Sequence, residues 1–224
     1  MAKPAGPTSH DVVARVRSRF RFRKVGHAGT LDPSAEGVLI LGLGRRATRR
    51  LGFYQGLGKE YLASLELGVS TDTQDADGEV TARGEWRGVT EEALRGALAE
   101  LAGARMQVPP MFSALKRKGE PLYRLARRGV SVERKARPIV IEALELVEFA
   151  PPAALLRVRC SKGTYVRTLC AEIGEALGCG AHMRALTRTR VGEFTLERAL
   201  SLDALLAMTR EEMEKRMLPV EEES

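Results

Sequence analysis

Apolar and polar positions along this chain repeat with two periods, and the places where one gives way to the other mark out the elements. A period of two runs through Lys59 to Leu67, where Tyr61, Ala63, Leu65 and Leu67 fall on one face, and predicts a half-buried strand. Arg137 to Phe149 and Ala154 to Cys160 predict adjacent strands, an antiparallel pair joined across Pro151-Pro152. A further strand is punctuated by Arg184, Arg188 and Arg190. The helical period appears after Thr90, whose hydroxyl caps a stripe of Leu94, Ala97, Leu98 and Leu101. It returns over Thr164 to Leu177, where Val166, Leu169, Cys170, Ile173 and Leu177 form the buried stripe, with Tyr165 and Arg167 off it in the first turn. Thr8 and Asp11 form a capping box for a helix over His10 to about Arg19, preceded by a rigid loop at Lys3 to Pro7. Shorter helices are predicted at Arg45 to Tyr54, Pro121 to Arg128, Leu202 to Met208 and Glu211 to Met217. Paired strands with interspersed helices give an α+β fold around a largely antiparallel mixed sheet, without internal repeat or strong domain boundary.

Composition narrows the class. A chain of 224 residues buries about seven-tenths of its unfolded surface. A hydrophobic content of 44% argues against disorder, and an aromatic content of 5% makes each exposed ring notable. The net charge is +7, and 28 arginines stand against 8 lysines. That balance favours a polyanionic partner such as nucleic acid, because the planar guanidinium suits phosphates and base faces; an arginine-biased proteome or adaptation to heat would give the same charge. Cys160, Cys170 and Cys179 read as small buried hydrophobes of a reducing compartment. Cys179 and His182 lack a second pair of ligands, so no metal site is predicted. The start shows no apolar signal core, and the longest apolar run, around Gly37 to Gly44, is too short to span a bilayer; a cytoplasmic protein without membrane contact is expected.

Candidate chemistry centres on Gly26 to Arg49, GHAGTLDPSAEGVLILGLGRRATR. Pro33 biases Asp32 toward extended geometry on an irregular segment, with its carboxylate available for other work. Taken alone, the motif reads better as an Asx-turn, in which Asp32 merely satisfies nearby backbone groups. The polar stretch TDTQDADGEV, Thr71 to Val80, superficially resembles a calcium loop, but Thr73 stands at the first ligand position and Gly84 at the closing one. No P-loop, dinucleotide fingerprint or G-x-S-x-G elbow is present. A carboxylate, a few aromatics and many arginines remain.

Several stretches together carry a resemblance. KPAG at Lys3 to Gly6, GHAGTLDPSAEGVL at Gly26 to Leu39, KEY at Lys59 to Tyr61, TDTQDADG at Thr71 to Gly78, VPPMFSALK at Val108 to Lys116, KGTYVRTL at Lys162 to Leu169 and GCGAHMRAL at Gly178 to Leu186 occur in the order found in the TruB family. They closely resemble bacterial tRNA pseudouridine synthases that modify uridine 55 in the T-loop. The resemblance implies the pseudouridine-synthase catalytic fold and an isomerase that needs no cofactor. It implies Asp32 as nucleophile, Tyr61 as the ring that stacks on the flipped base, and Arg167 as the cation paired with the aspartate. It further implies Tyr165 and Leu186 as pocket residues, His27 as a T-loop contact and Lys3 as part of a loop near the site.

The partner implied is tRNA, through its T-loop and T-stem, and the protein is expected to act as a monomer. Residues 1–200 are expected to form the catalytic domain and residues 201–224 a short helical tail, not a full PUA domain. Only Met1 and Ala2 precede Lys3, so either the family's opening edge strand is missing or the given start is late. Ala28 stands where a threonine is common. Two other readings fit the same features: a non-catalytic RNA-binding or RNA-folding protein, and a synthase acting on a different RNA uridine.

Overall fold

The computed structural model describes residues 1–117 and 119–220. The chain divides into two compact units, Met1–Tyr61 with Leu186–Ser224, and Leu62–Ala185. It opens with β1 (Ala2–Lys3), α1 (Ser9–Phe20), β2 (Val25–Ala28), β3 (Glu36–Val38), β4 (Ile40–Leu43) and α2 (Gly44–Gly56). Then β5 (Lys59–Leu67) leads to β6 (Val69–Thr71), β7 (Val80–Arg83), α3 (Glu91–Leu101), β8 (Gly103–Gln107), β9 (Lys116–Arg117), β10 (Glu120–Pro121) and α4 (Leu122–Arg127). The chain continues through β11 (Arg137–Ala150), β12 (Ala153–Cys160), α5 (Val166–Ala176), β13 (Ala181–Val191), β14 (Phe194–Thr195), α6 (Leu202–Ala207) and α7 (Arg210–Lys215). Both passages between the units fall inside strands, β5 and β13, so no linker marks the division in the sequence.

In the first unit the chain begins on a two-residue edge strand. Ala2 and Lys3 pair antiparallel with Val38 and Gly37. On its other side β3 lies parallel to β13 through Thr187–Glu36 and Arg188–Gly37. A separate ribbon of β2 and β4 sets Gly26 opposite Gly42. A Cβ at either position would meet the Leu51 side chain at 2.7 or 3.0 Å, so this glycine pair is what lets α2 sit down on the ribbon. The capping box at Thr8 and Asp11 forms as expected, with Thr8 Oγ1 accepting from the Asp11 amide at 3.0 Å. Below it, Val12, Val16 and Phe20 of α1 cluster with Leu39, Leu202, Leu205 and Met213, so the last two helices share the core of the first residues. At the far end of α1, Arg19 donates to the carbonyls of Leu206 and Met208.

In the second unit the strand order is β5-β12-β11-β8, with β11 antiparallel to both β12 and β8. Strand β5 alternates as predicted, burying Lys59, Tyr61, Ala63, Leu65 and Leu67. Thr90 caps α3, which packs on β11 and α5. The pairing is thus largely antiparallel within the second unit and includes the parallel β3–β13 pair in the first, as expected of a largely antiparallel mixed fold.

The cap at Thr8 is exposed, so its contribution is separable from core packing. Thr8→Ala is expected to lower stability by about 1 kcal/mol in urea unfolding, and Thr8→Ser to leave it nearly unchanged.

Candidate active site

Asp32 lies half-buried on the irregular segment between β2 and β3, where Pro33 bars a ladder hydrogen bond. The segment is held by its carbonyl groups. Lys3, 1% exposed, donates through Nζ to the carbonyls of Ala35 at 2.7 Å, Pro33 at 3.1 Å and Pro4 at 2.8 Å. Ser9 Oγ donates to the Leu31 carbonyl at 3.0 Å and accepts from the Leu31 amide at 2.9 Å. The Ala35 amide donates to the Asp32 carbonyl at 3.1 Å, closing a turn that begins on the aspartate itself. Arg188, also 1% exposed, donates to Val38, Gly29 and Thr30. Burial pushes the Lys3 ammonium below its usual range, and the carboxylates of Asp32 and Glu36 pull it back. Lys3 is therefore a strand residue that braces the loop of Asp32.

The other predicted residues of this unit are placed by strands. His27 is half-buried on β2, and its Nδ1 is enclosed without a hydrogen-bond partner among the described residues. Burial first, then the nearby His10 and Arg188, lowers its basicity below the usual value. Tyr61 is 8% exposed on the buried face of β5, and Leu186 is half-buried on β13.

Tyr165 and Arg167 come together in the second unit at the start of α5. Tyr165 is the N-cap residue, and its ring lies 5.9 Å from the Arg167 guanidinium carbon. The buried Gln107 clamps the backbone there: its Oε1 accepts from the Tyr165 amide at 2.9 Å and its Nε2 donates to the Tyr165 carbonyl at 3.2 Å. Arg167 lies off the buried apolar stripe, as its spacing predicts, yet it is only 5% exposed, because polar groups enclose it. It donates to the carbonyls of Phe112 at 2.6 Å and Thr73 at 3.3 Å, and Nη1 stands 3.8 Å from the buried carboxylate of Asp75. Next to it Thr168 donates to Gln74 Oε1 at 2.7 Å.

The TDTQDADG stretch is thus a platform for the first turn of α5. Its side chains turn on their own loop: Thr71 donates to the Asp75 carbonyl at 2.7 Å, and Thr73 to the Asp75 carboxylate at 2.6 Å. Asp75, Gln107 and Arg188 escaped the reading of the sequence. Asp75 was one of several acids in a polar loop, Gln107 carried no motif signal, and Arg188 looked like its neighbours Arg184 and Arg190.

His182 hydrogen-bonds the Val69 carbonyl through Nδ1 at 3.0 Å, and Cys179 is buried, so each has a structural occupation. Among the described residues, no helix is long and apolar enough to cross a membrane.

The first unit thus holds a carboxylate on a braced loop and a buried tyrosine, and the second a buried arginine beside a half-buried tyrosine. Compared with known families, the chain falls among the pseudouridylate synthases. Residues 17–166 match the TruB family pseudouridylate synthase N-terminal domain, and residues 167–223 match the tRNA pseudouridylate synthase B C-terminal domain. The tRNA pseudouridine synthase B of Opitutus terrae is 49% identical over 218 residues, 97% of this chain and 90% of that protein. Its counterpart in Syntrophotalea carbinolica is 48% identical, over 98% of this chain and 72% of that protein. Among solved structures, a crystal structure of a Cbf5-Nop10-Gar1 complex aligns with TM-score 0.71 and 34% identity, covering 92% of this chain and 52% of that one. This chain spans about half the length of that structural relative. The chain belongs to the TruB family.

The lowered basicity of His27 has a definite sign. The unfolded chain takes up the proton near pH 6.5 while the folded protein still resists it, so stability falls as pH drops through 6.5 toward the folded-state value. Urea unfolding at pH 7 and pH 5 is expected to show this loss in the wild type, and a smaller loss in His27→Asn.

Proposed function

We propose that this protein isomerises uridine 55 in the T-loop of tRNA to pseudouridine, acting as a cytoplasmic monomer without a cofactor. The observation that carries this reading is the seating of Asp32 on a loop whose backbone is fixed by buried donors, within a chain of the TruB family. In the reaction the bond from uracil N1 to ribose C1′ breaks and a bond from C5 to C1′ forms. The C5 proton is lost and N1 gains one, so nothing is oxidised or reduced overall, and the chemistry calls for no metal or redox group.

The Asp32 carboxylate serves as nucleophile and then as leaving group, on either the base or the sugar carbon. To reach it the uridine must leave its stack, at a cost of a few kcal/mol, and stacking on the Tyr61 ring recovers part of that. In this reading Arg167 is the cation that favours the ionised aspartate, with Tyr165 and Leu186 lining the pocket. His27 meets the T-loop, and Lys3 keeps the loop of Asp32 in place. Residues 1–200 carry the catalytic machinery, with residues 201–220 as its helical tail; residues 221–224 lie outside the described residues. Phosphates are met by exposed cations such as Arg45 and Arg49, and by the basic groove of Lys116, Arg117, Arg134, Lys135 and Arg137.

With tRNA tritiated at uracil C5, the wild type is expected to release tritium, and Asp32→Asn to lose turnover by about 10⁴-fold or more, the scale set by removing a covalent nucleophile. Normal turnover by that variant would sink the proposal. Binding of tRNA is expected to weaken with salt, log affinity falling by roughly 0.7 to 0.9 per neutralised phosphate for each unit of log salt concentration. Filter binding between low and high salt checks this, and a flat response would contradict an electrostatic interface.

A further inference from the structure

We infer that Arg188 is the positioning residue for Asp32, acting as a clamp across both ends of its loop; the inference rests on the reading of Asp32 as the nucleophile. The guanidinium is 1% exposed and meets backbone carbonyls in place of a phosphate. Nε donates to Val38 at 2.7 Å, Nη2 to Gly29 at 3.0 Å and Nη1 reaches Thr30 at 3.5 Å. Gly29 and Thr30 precede Asp32 in the chain, and Val38 follows it. One rigid fork therefore ties together the two limbs between which the carboxylate hangs.

The backbone is shaped to admit this clamp. Gly37, at φ 108°, lies against Arg188 in the parallel ladder, and a Cβ there would stand 2.2 Å from the Arg188 carbonyl oxygen. A Cβ at Gly29 would stand 3.6 Å from Nη1, in ordinary contact, so the guanidinium fills its space. Lys3 and Ser9 hold the carbonyls in between, at Pro33, Ala35 and Leu31. Neither of them spans the two limbs. A guanidinium has five N–H donors in a fixed plane, whereas an ammonium on a flexible stem is a point donor. Lysine at this position would reach one limb and release the other. Arg184 and Arg190 are exposed on the same strand, which separates Arg188 from them by burial and by task.

The test compares wild type, Arg188→Lys and Leu156→Val, a core change remote in sequence from the loop that controls for lost stability. Tritium release is measured at saturating and limiting tRNA, and amide hydrogen exchange is followed at Gly6, Leu31 and Ala35, which bond into the loop. Arg188→Lys is expected to lower kcat by up to about 100-fold, the effect of misplacing a reacting group by about 1 Å, with KM for tRNA little changed. The loop amides should exchange faster while those of β11 and β12 do not. Wild-type kcat in Arg188→Lys, wild-type exchange at the loop, or an equal loss of kcat in a Leu156→Val of matched stability would each overturn the inference. If wild type itself releases no tritium while Arg188→Lys still loosens the loop, the clamp is upheld and the reading of Asp32 as nucleophile fails.

Discussion

The carbonyl groups of residues 29 to 35 set the terms for the first unit. An irregular loop cannot satisfy them within itself, and each one buried without a donor costs about 1–3 kcal/mol. Backbone amides meet two of them, Asp32 from Ala35 and Pro33 from Gly6. Side chains meet four more: Arg188 takes Gly29 and Thr30, Ser9 takes Leu31, and Lys3 takes Ala35 and shares Pro33. Burying two cations is itself costly, by several kcal/mol each. The balance closes only because each ammonium or guanidinium serves several carbonyls at once. The outcome is a loop with the rigidity of a ladder but without its regular geometry, which leaves the aspartate free of strand alternation.

The same logic recurs in the second unit with the roles of holder and held exchanged. There the buried cation is the residue to be held, and the loop supplies the acceptors: Thr73 and Phe112 by their carbonyls and Asp75 by its carboxylate. Removing a carboxylate from such a buried pair takes compensating charge from the buried arginine, whereas removing an exposed ion pair such as Arg95–Glu91 changes little. Gln107 completes the arrangement by acting toward Tyr165 as an extra peptide group would, donor and acceptor together. A residue at the head of a helix normally leaves its amide unmet, and this clamp removes that freedom.

What could be read from the sequence follows from how far each interaction reaches along the chain. Helix caps at Thr8 and Thr90 and the alternation of Lys59 to Leu67 are local, and the structure has them nearly residue for residue. Asp32 was legible as a residue on an irregular segment, since Pro33 acts on its immediate neighbour. Its chemical role was not a local matter and came from motifs spread over the chain. Arg188 was hidden because its partners are backbone carbonyls about 150 residues away, and any residue presents a carbonyl. Gln107 was hidden for the same reason. The glycine at 37 was the one available hint, since a positive φ beside a strand suggests close backbone approach, but it does not say what approaches.

Once the interior cations are set apart, the basic composition reads differently. Lys3, Arg167 and Arg188 are buried and spend their donors on the protein, so attraction for a polyanion falls to the exposed residues. Among those, the arginines of α2 stand in an unfavourable place. Arg45 and Arg46 occupy the first turn, where the helix dipole favours acids and opposes each cation by about 0.3–1 kcal/mol. Helices α1, α3 and α7 all place acids there, as stability alone would have it. Arg45, Arg49 and the 55% exposed Phe53 follow at intervals of four and share one outward face. That electrostatic cost, with a ring exposed beside it, suits the polyanionic partner of the proposed function, since RNA offers negative charge and flat faces.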